Sequence, residues 1–239
     1  MQQELQKKLN SSNKEKKQLK VDKIFSKVSD KYDLMNDIMS FGLHRAWKNN
    51  FVDLIKLNNQ YTLLDIATGS GDILKLITKR SKCKCIGYDP NVKMIKQARK
   101  KNRSKNISFI QGRAENIPFK NDTFDLVTVA FGVRNFTDLK LSLKEIKRII
   151  KKGGKFYCLE FSEINNKPLR KLFKIYSKLI PLYGKLIVDN EDAYKYLIQS
   201  IKEFPNQIMF SKELIKAGFK NIEVIDILDG VASIHICEL

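Results

Sequence analysis

Three aspartates stand around a glycine turn at spacings that suit capture of a small cationic ligand. Asp65 lies in Leu63-Leu64-Asp65-Ile66-Ala67-Thr68-Gly69-Ser70-Gly71-Asp72, an apolar run that passes through two glycines and opens a helix at Asp72. Gly69 and Gly71 let backbone approach a ligand where a Cβ would collide, and Gly69, Ser70 and Gly71 are assigned to that contact. Asp89 follows Gly71 by 18 residues, at the end of the apolar run Cys85-Ile86-Gly87-Tyr88. An acid at about that spacing grips the ribose in nucleotide-binding βαβ units.

A dinucleotide fits this turn poorly. Leu74 takes the place of the third glycine that packs a dinucleotide helix on its strand, and a carboxylate at Asp72 would repel a pyrophosphate. Asp65 and Asp72 instead suit an ammonium and a sulfonium. The cofactor they indicate is S-adenosylmethionine.

To bring these groups together the chain needs a parallel sheet. Apolar strands at Tyr61–Ile66, Cys85–Tyr88, Ile107–Gln111, Phe124–Ala130 and Lys155–Phe161 alternate with helices at Ile73–Lys79, Asn91–Lys101 and Leu139–Ile150, the last closed by Lys152-Gly153-Gly154. That alternation predicts a doubly wound α/β fold with ligands beyond the carboxyl ends of the strands. Arg113 and Ala114, after the third strand, then border the adenine, and Ala130 ends the fourth. Arg134 and Asn135, in Phe131-Gly132-Val133-Arg134-Asn135-Phe136, reach the same rim as Gly69 and Asp89. A helix at Ser211–Ala217, stopped by Gly218, leads to strands at Ile222–Leu228 and Val231–Cys237, and Asp229-Gly230 reads as a two-residue hairpin turn.

Around that sheet we expect a flexible basic tail over residues 1–20, a helical cap over 21–58 and a helical lid over 163–207, with 21–239 as one domain. The cap either covers the sheet edge or gates the pocket, and its His44 and Trp47 can share a helix face. The lid places Leu169, Leu172, Phe173, Tyr176 and Ile180 on one face and Lys167, Lys171, Lys174 and Lys178 on another. Such a helix packs its apolar face inward or lies on an anionic bilayer.

Composition bounds the rest. The 239 residues are 43% apolar and carry a formal charge of +19, from 45 Lys and Arg against 26 Asp and Glu. The excess invites an anionic partner, yet the lysines are spread over almost every helix without stacking aromatics between them, so no nucleic acid is expected. No apolar run reaches the ~18 residues of a spanning helix. The opening stretch lacks both a signal-peptide centre and the arginines of a transit peptide, which points to the cytoplasm, with the mitochondrial matrix disfavoured. Four cysteines, two of them at the strand spacing Cys83 and Cys85, read as buried thiols, and no metal site is expected.

Several stretches resemble one family. They are Lys31-Tyr32-Asp33-Leu34-Met35-Asn36-Asp37, Gly42 to Lys48, Leu63 to Asp72, Phe131 to Asp138, Leu159-Glu160-Phe161-Ser162 and Tyr194-Lys195-Tyr196-Leu197. From about Val21 to its end the chain is similar to the ubiquinone and menaquinone biosynthesis C-methyltransferases, the UbiE family. The resemblance implies a class I methyltransferase with a Rossmann-like, mostly parallel seven-stranded sheet, an antiparallel C-terminal hairpin and a helical lid. It implies methylation at a ring carbon of a polyprenylated benzoquinol or demethylmenaquinol. Peripheral contact with an anionic inner membrane and assembly as a homodimer or within a quinone-synthesis complex belong to the same picture.

The resemblance also marks Arg134, Asn135 and Tyr32 as catalytic. A guanidinium stays protonated, so Arg134 suits stabilisation of a developing phenolate, with Asn135 and Tyr32 positioning the ring. The competing structural reading has Arg134 paired with Asp138 or Glu160 to hold its loop. Two departures bear on the cofactor: Arg113 stands where the family commonly has Asp or Asn, and Ala130 where relatives carry serine. Arginine offers no side-chain acceptor for the adenine amino group, which leaves backbone, Ala114 or stacking. Alternative functions are methylation of RNA or another small molecule, and a non-catalytic scaffold.

Overall fold

The computed structural model describes residues 2–28, 31–173, 176 and 191–239. Strands β1 (Thr62–Ile66), β2 (Lys84–Asp89), β3 (Ile107–Gln111), β4 (Phe124–Ala130), β5 (Ile150–Phe161), β6 (Lys220–Ile227) and β7 (Ala232–Glu238) form one sheet ordered β3-β2-β1-β4-β5-β7-β6. The first five are parallel, and β7 runs antiparallel between β5 and β6. Leu63, Leu64, Ile66, Val127 and Val129 are buried without alternation, as strands covered on both faces must be. Helices α3 (Leu43–Asp53), α4 (Asp72–Thr78) and α5 (Val92–Lys101) cover one face through Phe51, Leu74, Ile77 and Ala98. On the other, α6 (Leu139–Ile149) and α9 (Gln207–Ala217) bury Leu143, Ile146, Phe210 and Leu214.

A third, smaller core lies apart from the sheet. Ile24 and Val28 of α1 (Gln2–Val28), Met35 of α2 (Tyr32–Ser40), and Ala193, Tyr194 and Leu197 of α8 (Glu191–Glu203) pack on one another. Cap and lid are thereby joined, and the cap's inner helix also closes the site, as described below. The lid's first helix, α7 (167–173), turns Leu169 and Phe173 toward the main core and leaves Leu172 exposed. Lys174, Lys178 and Ile180 lie outside the described residues.

Several boundaries differ from the sequence reading. Helix α1 runs through the stretch expected to be a flexible tail: Gln, Leu, Lys and Glu are good helix formers, no Gly or Pro interrupts them, and Val21, Ile24 and Val28 anchor the end. Strand β5 begins at Ile150, so Lys152-Gly153-Gly154 falls inside it, where a Cβ on Gly154 would lie 2.8 Å from the Asp125 carbonyl. Helix α9 starts at Gln207 because Asn206 caps it, accepting from the Met209 N–H. The hairpin pairs Ile227 with Ala232, which makes the loop four residues, 228–231, rather than two. Loop and lid hold each other there, with Asn165 N–H donating to the Asp229 carbonyl at 2.7 Å.

Candidate functional site

At the carboxyl end of β1 the chain enters a left-handed turn: Ala67, Gly69 and Gly71 have φ of 52°, 55° and 81°. Gly71 is required twice over, since a Cβ there would also lie 2.5 Å from Asn102 Nδ2. Ala67 is an alanine in a conformation that costs it about 1–2 kcal/mol, a strain typical of ligand-binding turns. Phe131, at the end of neighbouring β4, repeats it with φ 55°.

The turn is tied to two buried carboxylates. Asp89 Oδ2 accepts the Gly69 N–H at 2.9 Å and Oδ1 accepts the Asn91 N–H at 2.8 Å. Asp65 accepts from Thr68 Oγ1 at 2.6 Å and from Thr128 Oγ1 at 2.7 Å. Burial pushes Asp65 up to about 7 and Asp89 up to about 6, against the opposing pull of those hydrogen bonds. A cation placed beside them would restore their charge.

Beside the turn lies a cavity. Its floor is Asp89 and Met94, one side is Gly112-Arg113-Ala114, another is Phe131, Gly132 and Asn135, and α1 forms the cover. Gln18, Val21, Asp22 and Phe25 of α1 line it at i, i+3, i+4 and i+7, one helix face. A smaller adjoining hollow is bounded by Lys48, Asp65, Ser70, Asp72 and Ala130. There Lys48 Nζ meets Asp72 Oδ2 at 2.7 Å. Burial works to raise the Asp72 pKa, but the Lys48 ammonium, aided by Lys101 and Ser70, outweighs it and holds the carboxyl below its ordinary value. Asp72, read from sequence as waiting for an ammonium, already has one.

Arg134 follows β4 in a short 3-10 turn, Val133–Asn135. Its side chain is 3% exposed, and Nη1 donates to Glu160 Oε1 and to the Phe131 carbonyl, both at 2.6 Å. Glu160 Oε2 takes the Arg134 N–H at 3.2 Å, and the guanidinium sits over the Phe161 ring. Nε is buried without a partner among the described residues. Arg134 does not border the main cavity; Asn135, beside it, does, with Oδ1 accepting from Tyr196 Oη of α8 at 2.9 Å. Asp138 caps α6 instead of meeting Arg134.

Gly69, Asp89, Arg113, Ala114 and Asn135 thus share one cavity, while Asp65, Ser70 and Ala130 line the hollow next to it. Gly71 shapes the turn from behind. Tyr32 begins α2, and its side chain lies outside the described residues. His44, at 3% exposure, is held by Asp37 at 2.9 Å, and Trp47 packs on Phe131 and Phe161, so both support the fold. All four cysteines are buried thiols. The α1 face and Thr128 carried no sequence assignment, and Lys48, Thr68 and Tyr196 entered only as parts of the resembling stretches, without a role in the site. The α1 signal was present as helical spacing, but polar Gln18 and Asp22 hid it from a search for apolar periodicity.

Comparison with known proteins supplies the remaining facts. The sequence model of the ubiE/COQ5 methyltransferase family matches residues 11–238. A protein of Rickettsia massiliae named ubiquinone/menaquinone biosynthesis C-methyltransferase UbiE is 43% identical over 230 residues, 92% of each chain. Its namesake in Rickettsia prowazekii is 43% identical over the same length and coverage. Among solved structures, a SAM-dependent methyltransferase of Thermotoga maritima superposes with a TM-score of 0.64 at 20% identity, covering 90% of this chain and 97% of that one. A SAM dependent methyltransferase of Aquifex aeolicus gives 0.59 at 18% identity, covering 87% and 95%. These two establish likeness of fold.

Proposed function

This chain belongs to the ubiE/COQ5 methyltransferase family, and from that premise we infer that it is an S-adenosylmethionine-dependent C-methyltransferase of ubiquinone/menaquinone biosynthesis. We further propose that its substrate is a polyprenylated benzoquinol or demethylmenaquinol. The observation that carries the reading is one cavity with a glycine cradle and buried Asp89 on one wall and Asn135, backed by Arg134, on another.

The residues present fit the cofactor. The left-handed turn leaves backbone open at Gly69, and Asp65 and Asp89 are carboxylates whose buried charge a cationic ligand would stabilise. Asp89 would hold the ribose, and Lys48 the carboxylate end. Bound there, S-adenosylmethionine supplies a methyl group on a positively charged sulfur that departs as a neutral thioether.

The chain's own residues act on the quinol. Ionisation of a ring hydroxyl makes the neighbouring carbon nucleophilic, so a fixed positive charge near that oxygen lowers the barrier. Arg134 supplies it, held by Glu160 and Phe131 so that no reorganisation is needed. With Oδ1 taken by Tyr196, Asn135 meets the ring oxygen through Nδ2–H. The α1 cover and Phe131 exclude water. A second cavity, between β5, α7 and α8, is lined by Phe161, Ile164, Phe173, Ile198, Ile201 and Phe204 and suits the apolar tail. Exposed Lys167 and Lys171 beside exposed Leu172 support peripheral contact with an anionic bilayer. No described helix is long and apolar enough to cross a membrane.

Calorimetric titration with S-adenosylmethionine, with NAD as control, followed by quinol turnover and mass-spectrometric location of the methyl group on carbon, tests the reading. Methylation at oxygen, or on RNA alone, would overturn it.

Two consequences concern the cofactor. Asp89→Ala removes the ribose acceptor and the anchor of the Gly69 N–H, so the Kd should rise about tenfold to a hundredfold; an unchanged Kd removes the assignment. Affinity should also depend on pH. Both carboxyls sit above the unfolded value of ~3.9, so their contribution to stability falls as pH rises toward 7 and the folded-state groups ionise. The binding of a cation favours the ionised forms, so affinity should increase between about pH 5.5 and 8, with proton release near pH 6–7. Calorimetry in two buffers of different ionisation heat measures that release, which should be smaller for S-adenosylhomocysteine, whose sulfur is neutral.

A further inference from the structure

Building on the cofactor reading, we propose that Asp22 of α1 is the specificity-determining residue for adenine, accepting a hydrogen bond from its 6-amino group while Arg113 holds the carboxylate in place. With Asp89 at the ribose, the base extends toward β3, into the part of the cavity walled by Met94, Gly112-Arg113-Ala114 and α1. An amino group buried there without an acceptor would weaken binding. The question is which acceptor is free.

Most are taken. The Arg113 side chain has none to offer. Its carbonyl already receives the Asn116 N–H at 3.1 Å and shares the single Tyr88 hydroxyl proton, at 3.2 Å, with the Asn116 carbonyl, at 3.0 Å. Glu115 Oε1 receives the N–H groups of Thr137 and Asp138, at 2.6 and 3.1 Å. Asp89, which holds two backbone N–H groups, has its remaining acceptor capacity assigned to the ribose, and Asn135 Oδ1 holds Tyr196. Asp22 Oδ2 takes Arg113 Nη2 at 2.8 Å and its other oxygen is uncommitted among the described residues; Glu115 Oε2 is uncommitted too, but Asp22 is the carboxylate tied to Arg113, on the wall where the base is placed. The neighbouring Ala114 N–H has no partner among the described residues, so wall and cover together present a carboxylate acceptor and a backbone donor. That pair complements the amino group and N1 of adenine.

Asp22 is also well placed. Asn91 Nδ2 donates to Ser26 Oγ at 2.9 Å and to the Asp22 carbonyl at 3.4 Å, and Lys93 Nζ donates to the Ser26 carbonyl at 3.1 Å. These bonds dock α1 onto the start of α5. An arginine after β3 therefore does not leave the base unread; it moves the reading group onto the cover helix.

The test compares S-adenosylhomocysteine with S-inosylhomocysteine, whose 6-oxo group accepts where adenine donates. Calorimetric Kd values are taken for the wild type and for Asp22→Ala, Asp22→Asn and Gln18→Ala, each checked for an unchanged unfolding temperature. Asp22 is about a third exposed (32%), so its replacement should leave the fold intact. The wild type should prefer the adenosyl ligand strongly. Asp22→Ala should bind it about tenfold to a hundredfold more weakly and lose most of that preference. Asp22→Asn, which keeps a carbonyl oxygen, should fall between, and Gln18→Ala, one turn earlier on the same face, should keep the wild-type ratio. A full preference in Asp22→Ala, or its loss in Gln18→Ala alone, would overturn the assignment. Failure of the folded wild type to bind either ligand would instead overturn the cofactor reading, and this assignment with it.

Discussion

Arg134→Lys should lower kcat about a hundredfold to a thousandfold while changing the Kd for S-adenosylhomocysteine by less than about threefold. The asymmetry comes from position. Arg134 lies behind the loop that lines the cavity, so the cofactor does not depend on it. Its Nη1 serves Glu160 and the Phe131 carbonyl together, which fixes the planar cation directly behind Asn135. A lysine keeps the charge but is shorter and lacks the fork, so it satisfies Glu160 or Phe131 and gives up the fixed geometry. Single-turnover methyl transfer gives the chemical step, and calorimetry gives the affinity. Equal losses in both would reduce Arg134 to a residue that holds its loop.

The sheet and its turn were legible because they follow from local rules. Continuous apolar runs required strands covered on both faces, and the spacing from Gly71 to Asp89 placed a carboxylate at the tip of the adjacent strand. Side-chain pairing across the chain had no such rule. Lys48 finds Asp72 only because α3 packs beside α4, and Asp22 finds Arg113 over 91 residues only because α1 folds back over the strand ends. The hairpin loop was misread for a similar reason: Asp229-Gly230 predicts a tight turn locally, but the backbone at 162–165 claims the carbonyls of Asp229 and Val231 and widens the loop.

The structure also changes what Arg134 means. From sequence, catalytic and structural readings compete, because an arginine near a pocket fits either. The fold shows the ion pair with Glu160, and on the function proposed above the same pair would serve the catalytic reading. Glu160 restrains the cation, Phe161 shields one face, and Asn135 carries the contact into the cavity with Tyr196 at its back. The ion pair is the device by which the charge is kept in place.

Stability should then depend heavily on Glu160. Glu160→Ala would leave a guanidinium buried without its counter-charge, which costs about 3–5 kcal/mol and, at the ~2–4 °C per kcal/mol of a chain this size, lowers the Tm by about 10 °C. Two N–H groups, of Arg134 and Phe161, would lose their acceptor as well. Glu160→Gln keeps one acceptor oxygen of the two and should lose less. The informative variant is the double replacement Arg134→Met with Glu160→Leu, which removes both buried charges. Exchanging a buried pair for apolar residues of similar volume is often neutral or better for stability, so most of the lost Tm should return. Methyl transfer should not return with it. Thermal unfolding and turnover measured on the same four proteins therefore separate the two roles: if the double variant recovers stability and activity together, the pair is structural only.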